Sequence, residues 1–151
     1  METKQKRGYR QLRRGRWSLE SQIYHVTFVT YQRQHYLRDF QCARSVAKAL
    51  RAAREHADTL AFVVMPDHVH WLLQLGAGRN LARVVGMVKA DVSRHARPVD
   101  GGRLWQKGFY DHALRREEDV REVARYIIAN PLRAGLVRSV RDYPHWDAVW
   151  L

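Results

Sequence analysis

The chain contains a single cysteine, Cys42, which rules out an intramolecular disulfide and any zinc site built from cysteines. Long apolar runs are also missing. The longest, LAFVVM and VHWLL, fall well short of the roughly 20 residues a membrane-crossing helix needs. The basic N-terminus has no apolar stretch of the kind a secretory signal carries, so a cytoplasmic protein without membrane contact is expected. There is no internal repeat and, apart from a basic arm, no low-complexity segment. Acidic residues are few: 15 Asp+Glu stand against 27 Lys+Arg, for a formal charge of +12. What remains is a 46% apolar composition in 151 residues, which suits one globular domain with a real core.

The positive charge is unevenly placed. Residues 1–16 hold Lys4, Lys6, Arg7, Arg10, Arg13, Arg14 and Arg16 against Glu2, a net of +6, or half of the total in a tenth of the chain. Tyr9 lies within this run and Trp17 follows it. Cations interleaved with aromatics suit a phosphate backbone and unpaired bases. A solvated tail, or an arm for acidic lipid, has the same composition. The chain divides into a basic N-terminal arm over 1–22 and a single domain over 23–151.

Alternating β-branched and aromatic residues at 23–31 predict a strand. Asp39 is placed to cap a helix over 40–57, with Val46, Leu50 and Ala53 on one face. Strands are predicted at 59–65 and 68–75, joined as a hairpin at Pro66-Asp67, and Asn80 is placed to cap a helix over 81–96. A fourth strand is expected at 104–114 and a last helix over 117–130, after which Pro131 opens a short helical turn that Gly135 ends. Strand, helix, strand, strand, helix, strand is the ferredoxin-like βαββαβ order of an α+β fold. It implies an antiparallel sheet with helices on one face, the other face open, and an additional C-terminal helix.

The stretch MPDHVHWLLQL places His68 and His70 in an otherwise apolar strand. Alternation puts them with Leu72 and Gln74 on the open face, while Val69, Trp71, Leu73 and Leu75 face the helices. Positions i and i+2 are about 7 Å apart along a strand, so two rings can converge on one metal ion. Packing histidines would occupy the same positions. Two ligands do not complete a site, and Leu72 and Leu73 exclude an HxHxDH continuation of the zinc-hydrolase kind.

On the last helix, advancing about 100° per residue gathers Val120, Val123, Ala124 and Ile127 into an apolar stripe. Asp119, Glu122, Tyr126 and Asn130 run along its edge, with Tyr126 and Asn130 one turn apart. Tyr126 is either an interfacial ring or a nucleophile, and Asn130 can offer an amide oxygen to a metal. A free phenol, with a pKa near 10, is a poor nucleophile at neutral pH, and a metal that polarises a phosphoryl group lowers the barrier.

MPDHVHWLL resembles the His-hydrophobic-His motif of the HUH single-strand endonucleases, and ARYIIANPLRAGLV resembles the tyrosine helix of the REP-associated tyrosine transposases. RRGRWSLESQIYHVTFVT and WQKGFYDHALR are similar to the same subgroup, so the resemblance spans residues 8 to 140; LESQ departs from a Pro-Gly common there. It implies a ferredoxin-like nuclease acting on single-stranded DNA that bears a palindromic hairpin beside a short recognition sequence. By that resemblance His68 and His70 bind Mg²⁺ or Mn²⁺, with Asn130 as third ligand. Tyr126 attacks the scissile phosphate to give a covalent 5′-phosphotyrosine. Arg13, Arg14, Arg16 and Trp17 are candidate DNA contacts, and His112 is either a DNA contact or a buried hydrogen-bonding residue. A monomer is implied, with a dimer as the alternative, acting in the bacterial cytoplasm at the nucleoid. The competing class is a non-catalytic hairpin-DNA or RNA-binding module, a domesticated inactive relative included. An RNP1-like segment, the mark of one such RNA binder, is missing.

Overall fold

A computed structural model describes residues 22–98, 100–115 and 118–150. Five strands form one antiparallel sheet: β1 (Ile23–Val29), β2 (Ala57–Met65), β3 (His68–Leu75), β4 (Tyr110–Ala113) and β5 (Trp146–Ala148), in the order β4-β1-β3-β2-β5. The first four strands stand in ferredoxin-like order, and β5 extends the sheet beyond β2. Helices α1 (Phe40–Ala52) and α2 (Leu81–His95) pack on one face. Helix α3 (Val120–Ile128) and the single turn α4 (Asn130–Arg133) follow β4. Among the described residues no helix is long and apolar enough to cross a membrane.

Side-chain alternation along β3 generates both faces. Val69, Trp71, Leu73 and Leu75 join Val26 and Phe28 of β1 beneath α1 and α2. Trp71 is fully buried, and its indole N–H donates to the Thr59 hydroxyl at 2.9 Å, which satisfies the one polar atom it carries inward. The caps expected at Asp39 and Asn80 are in place, accepting from the backbone N–H of Cys42 at 2.9 Å and Arg83 at 3.0 Å.

The second face is only partly open. Leu72, expected on the open face, has no exposed surface: it lies in an apolar cluster with Ala61, Val63, Ala124, Ile127 and Ile128. The apolar stripe of α3 therefore covers one part of this face. Leu72 departs from the polar alternation of its strand because it is the floor on which α3 sits.

Several elements differ from the periodicity. The strand expected at 104–114 is a strand only at Tyr110–Ala113. Leu104 and Trp105 are instead buried with α2, the Trp105 indole donating to the Lys89 carbonyl at 3.0 Å, and Gly108 (φ +83°) redirects the chain before the edge strand. The helix expected to reach residue 57 ends at Ala52, runs through a 3₁₀ turn, and lets β2 start at Ala57. Helix α3 starts at Val120, because Asp119 is its cap and accepts from the Arg121 N–H at 2.9 Å. Strand β5, three residues long, is too short to show a period.

Leu72→Ala tests the covered part of the face. A buried leucine costs about 2–5 kcal/mol when truncated, a surface position less than about 0.5 kcal/mol. Urea unfolding is expected to give the larger loss.

Candidate active site on the half-covered sheet face

His68 and His70 stand at the end of β3 that α3 leaves accessible, in register with Val29 and Thr27 of β1. Their ring centroids are 4.9 Å apart at 87°. Both rings are held through Nδ1. That of His68 lies 2.7 Å from Asp67 Oδ1, and Asp67 Oδ2 accepts from Arg33 Nε at 3.0 Å. That of His70 lies 3.0 Å from His25 Nε2 and 3.1 Å from Thr27 Oγ1. Each ring therefore keeps Nε2 as its remaining nitrogen, and a carboxylate behind a histidine is the usual outer support of a metal-binding imidazole.

The electrostatics agree with that role. Burial, reinforced by the charges of His68, His25, Arg133 and Arg33, pulls the His70 imidazole down to about 3, so it is a neutral donor at physiological pH. Burial works to raise the Asp67 carboxyl, but the His68 hydrogen bond and the Arg33 guanidinium outweigh it and hold the group below the usual carboxylate range. Arg33 reaches Asp67 from a turn in which Gln32 (φ 54°) and Arg33 (φ 55°) both adopt the left-handed conformation, a strained arrangement for two side-chain-bearing residues.

Tyr126 is 61% exposed on α3, away from the apolar stripe, with the Arg133 guanidinium 3.8 Å from its ring centre. Asn130 opens α4; its Nδ2 donates to the Ile127 carbonyl at 3.1 Å, which leaves Oδ1 as the atom that could meet a cation. No group of three His, Cys, Asp or Glu side chains suited to a metal occurs among the described residues. Two oriented imidazole nitrogens still fit a divalent ion whose further ligands are an amide oxygen, water or phosphate, the donor set that Mg²⁺ and Mn²⁺ accept.

His112 lies on β4 opposite His25, with a side chain 53% exposed, and its Nε2 is 3.0 and 3.2 Å from the two Glu118 oxygens. It is thus no buried hydrogen-bonding residue: an edge strand has no neighbour to cover it. Arg13, Arg14, Arg16 and Trp17 lie outside the described residues. The sequence reading missed His25, Thr27, Asp67, Arg33 and Arg133. His25 and Thr27 carried a usable signal, since they alternate in β1 on the same face as the histidine pair; Arg33 and Arg133 carried none beyond their charge.

Fold and site define a small α+β protein of ferredoxin-like order, with a paired-histidine strand and a tyrosine helix on one sheet face. The chain belongs to the IS200-like transposases: the family model described as "Transposase IS200 like" matches residues 18–130. It is 29% identical over 138 residues to a Haemophilus influenzae protein named as a REP-associated tyrosine transposase, covering 82% of this chain and 77% of that one. It is 35% identical over 86 residues to an Escherichia coli REP-associated tyrosine transposase, covering 56% of this chain and 50% of that one. A solved REP-associated tyrosine transposase bound to a REP hairpin superposes with a TM-score of 0.69 at 24% identity, covering 88% of this chain and 80% of that one. A transposase from Deinococcus radiodurans gives 0.55 at 24%, covering 78% and 95%. These structures share the fold.

In the metal-free protein, the His70 ring is expected to remain neutral at pH 5, measured from its imidazole nitrogen resonances. Its folded value lies below the ordinary 6.5, so the unfolded chain takes up the proton first as pH falls. The stability this group contributes is present above about pH 6.5 and is lost as pH falls toward 3. A charged ring at pH 5 would contradict the buried environment.

Proposed function

We propose that the chain is a metal-dependent single-stranded DNA endonuclease and strand transferase that acts as a monomer in the cytoplasm. Its substrate is a palindromic hairpin flanked by a short recognition sequence; the structural relative is named as bound to a REP hairpin. The observation carrying this reading is that one sheet face holds both the oriented histidine pair and the helix presenting Tyr126.

In the proposed reaction the Tyr126 Oη attacks the scissile phosphorus. The Oη–P bond forms and the P–O3′ bond breaks; the phenol gives up its proton and the departing O3′ takes one. A 5′-phosphotyrosine and a free 3′-OH result, and attack by a DNA 3′-OH reverses the step without an external energy source. His68 and His70 would hold Mg²⁺ or Mn²⁺ through Nε2, with the Asn130 Oδ1 as third protein ligand. When bound, the ion supplies Lewis-acid neutralisation of the phosphate. Asp67 holds His68 in its orientation, while His25 and Thr27 hold His70. The basic arm, with Arg13, Arg14, Arg16 and Trp17, adds charge and an aromatic surface for backbone and bases. His112, exposed at the sheet edge, is available to the same DNA.

Incubation with Mn²⁺ and single-stranded hairpin DNA from the flanks of its own gene is expected to give a covalent adduct resistant to denaturant. Tyr126→Phe should abolish it, and His68→Ala should slow it by about 100-fold or more, the scale of several kcal/mol of Lewis-acid stabilisation. An adduct surviving in Tyr126→Phe removes the assigned nucleophile. Tight hairpin binding without cleavage in any metal establishes the binding-module reading instead.

A further inference from the structure

We propose that Arg133 is a catalytic residue that neutralises the scissile phosphate during attack by Tyr126. The inference rests on the assignment of Tyr126 as nucleophile.

Arg133 closes the one-turn helix α4 directly after the tyrosine helix. Pro131 starts that turn, the Arg133 N–H donates to the Ala129 carbonyl at 3.0 Å, and Gly135 (φ +75°) ends it, so the side chain returns over α3. Its guanidinium carbon lies 3.8 Å from the centre of the Tyr126 ring. No carboxylate pairs with it among the described residues. Arg33, the guanidinium beside the histidine pair, is already committed to Asp67 at 3.0 Å. One uncommitted cation therefore lies against the ring of the nucleophile, where a phosphate attacked by Tyr126 must arrive.

The chemistry calls for such a group. As the Oη–P bond forms before P–O3′ has broken, negative charge builds on the non-bridging oxygens. A guanidinium stacked on an aromatic face keeps its N–H edge for two of those oxygens, a bidentate geometry that lysine cannot reproduce. In the free protein the ring holds the cation in place by cation–π attraction, so little reorganisation is required when DNA arrives.

The test is single-turnover adduct formation with the full chain, Mn²⁺ and hairpin DNA, on a normal phosphodiester and on one with an uncharged methylphosphonate at the cleaved position. Arg133→Gln is expected to slow the normal substrate by about 10²–10³-fold, and Arg133→Lys by at least about tenfold less than that. On the methylphosphonate, wild type and Arg133→Gln are expected to agree within about threefold, because the charge to be neutralised is gone. A rate for Arg133→Gln within threefold of wild type on the normal substrate overturns the proposal. So does an equal defect on both substrates, or equal rates for the Gln and Lys variants, since either outcome marks a residue that only positions the tyrosine. Failure of the underlying reading looks different: wild type forms no adduct, or Tyr126→Phe still forms one.

Discussion

Leu72 and Ile127 lie in one apolar cluster, each without exposed surface, and that burial fixes where the site can be. Helix α3 carries a well-segregated apolar stripe with nothing to cover it except the second face of the sheet. Docking there closes the part of the face around Leu72 and leaves the end of β3 with His68 and His70 accessible. The same docking turns the edge stripe of α3 outward, so that Tyr126 is exposed while Ala124, two residues earlier, is buried. A few apolar side chains thus set the relation between two polar groups far apart in sequence. Burial at this interface is worth about 1.5–3 kcal/mol for each large side chain, enough to hold the helix in one place.

The site is otherwise arranged around positive charge. Arg33 binds the carboxylate behind His68, Arg133 lies over the Tyr126 ring, and the protein carries +12 overall. In that field a protonated ring at His70 is costly, and His70 stays neutral by burial first and by its charged neighbours second. Asp67 supplies the local counter-charge and spends it on His68 and Arg33 together. The consequence is a neutral donor at His70 in positively charged surroundings, a setting that attracts a nucleic-acid backbone.

Much of this was readable in one dimension. Val69, Trp71, Leu73 and Leu75 announced the core face of β3 by alternation, and the caps at Asp39 and Asn80 are short-range chemistry that tertiary context did not override. The ferredoxin-like order followed from the sequence of elements, and the family resemblance agreed with it. The misreadings share a cause. Leu104 and Trp105 looked like strand because they are apolar, yet their burial is against α2. Strand β5 pairs with the edge of β2, a contact that no local pattern announces. Leu72 was placed on an open face because alternation describes orientation along a strand and says nothing of what arrives above it.

The sequence by itself determined the local terms: which side of the long strands and helices is apolar, where α1 and α2 begin, that His68 and His70 share one strand face, and that Tyr126 and Asn130 share one helical edge. Those properties depend on neighbours a few residues away, within reach of the periods 2 and 3.6. Only the tertiary structure decided that His25 and Thr27 would meet the ring of His70, that Asp67 would divide its oxygens between His68 and Arg33, and that Arg133 would lie over Tyr126. The first two sets join separate elements, and the third depends on how a one-turn helix folds back after Pro131. Such contacts are selected by the packing of whole elements, and no local period records them.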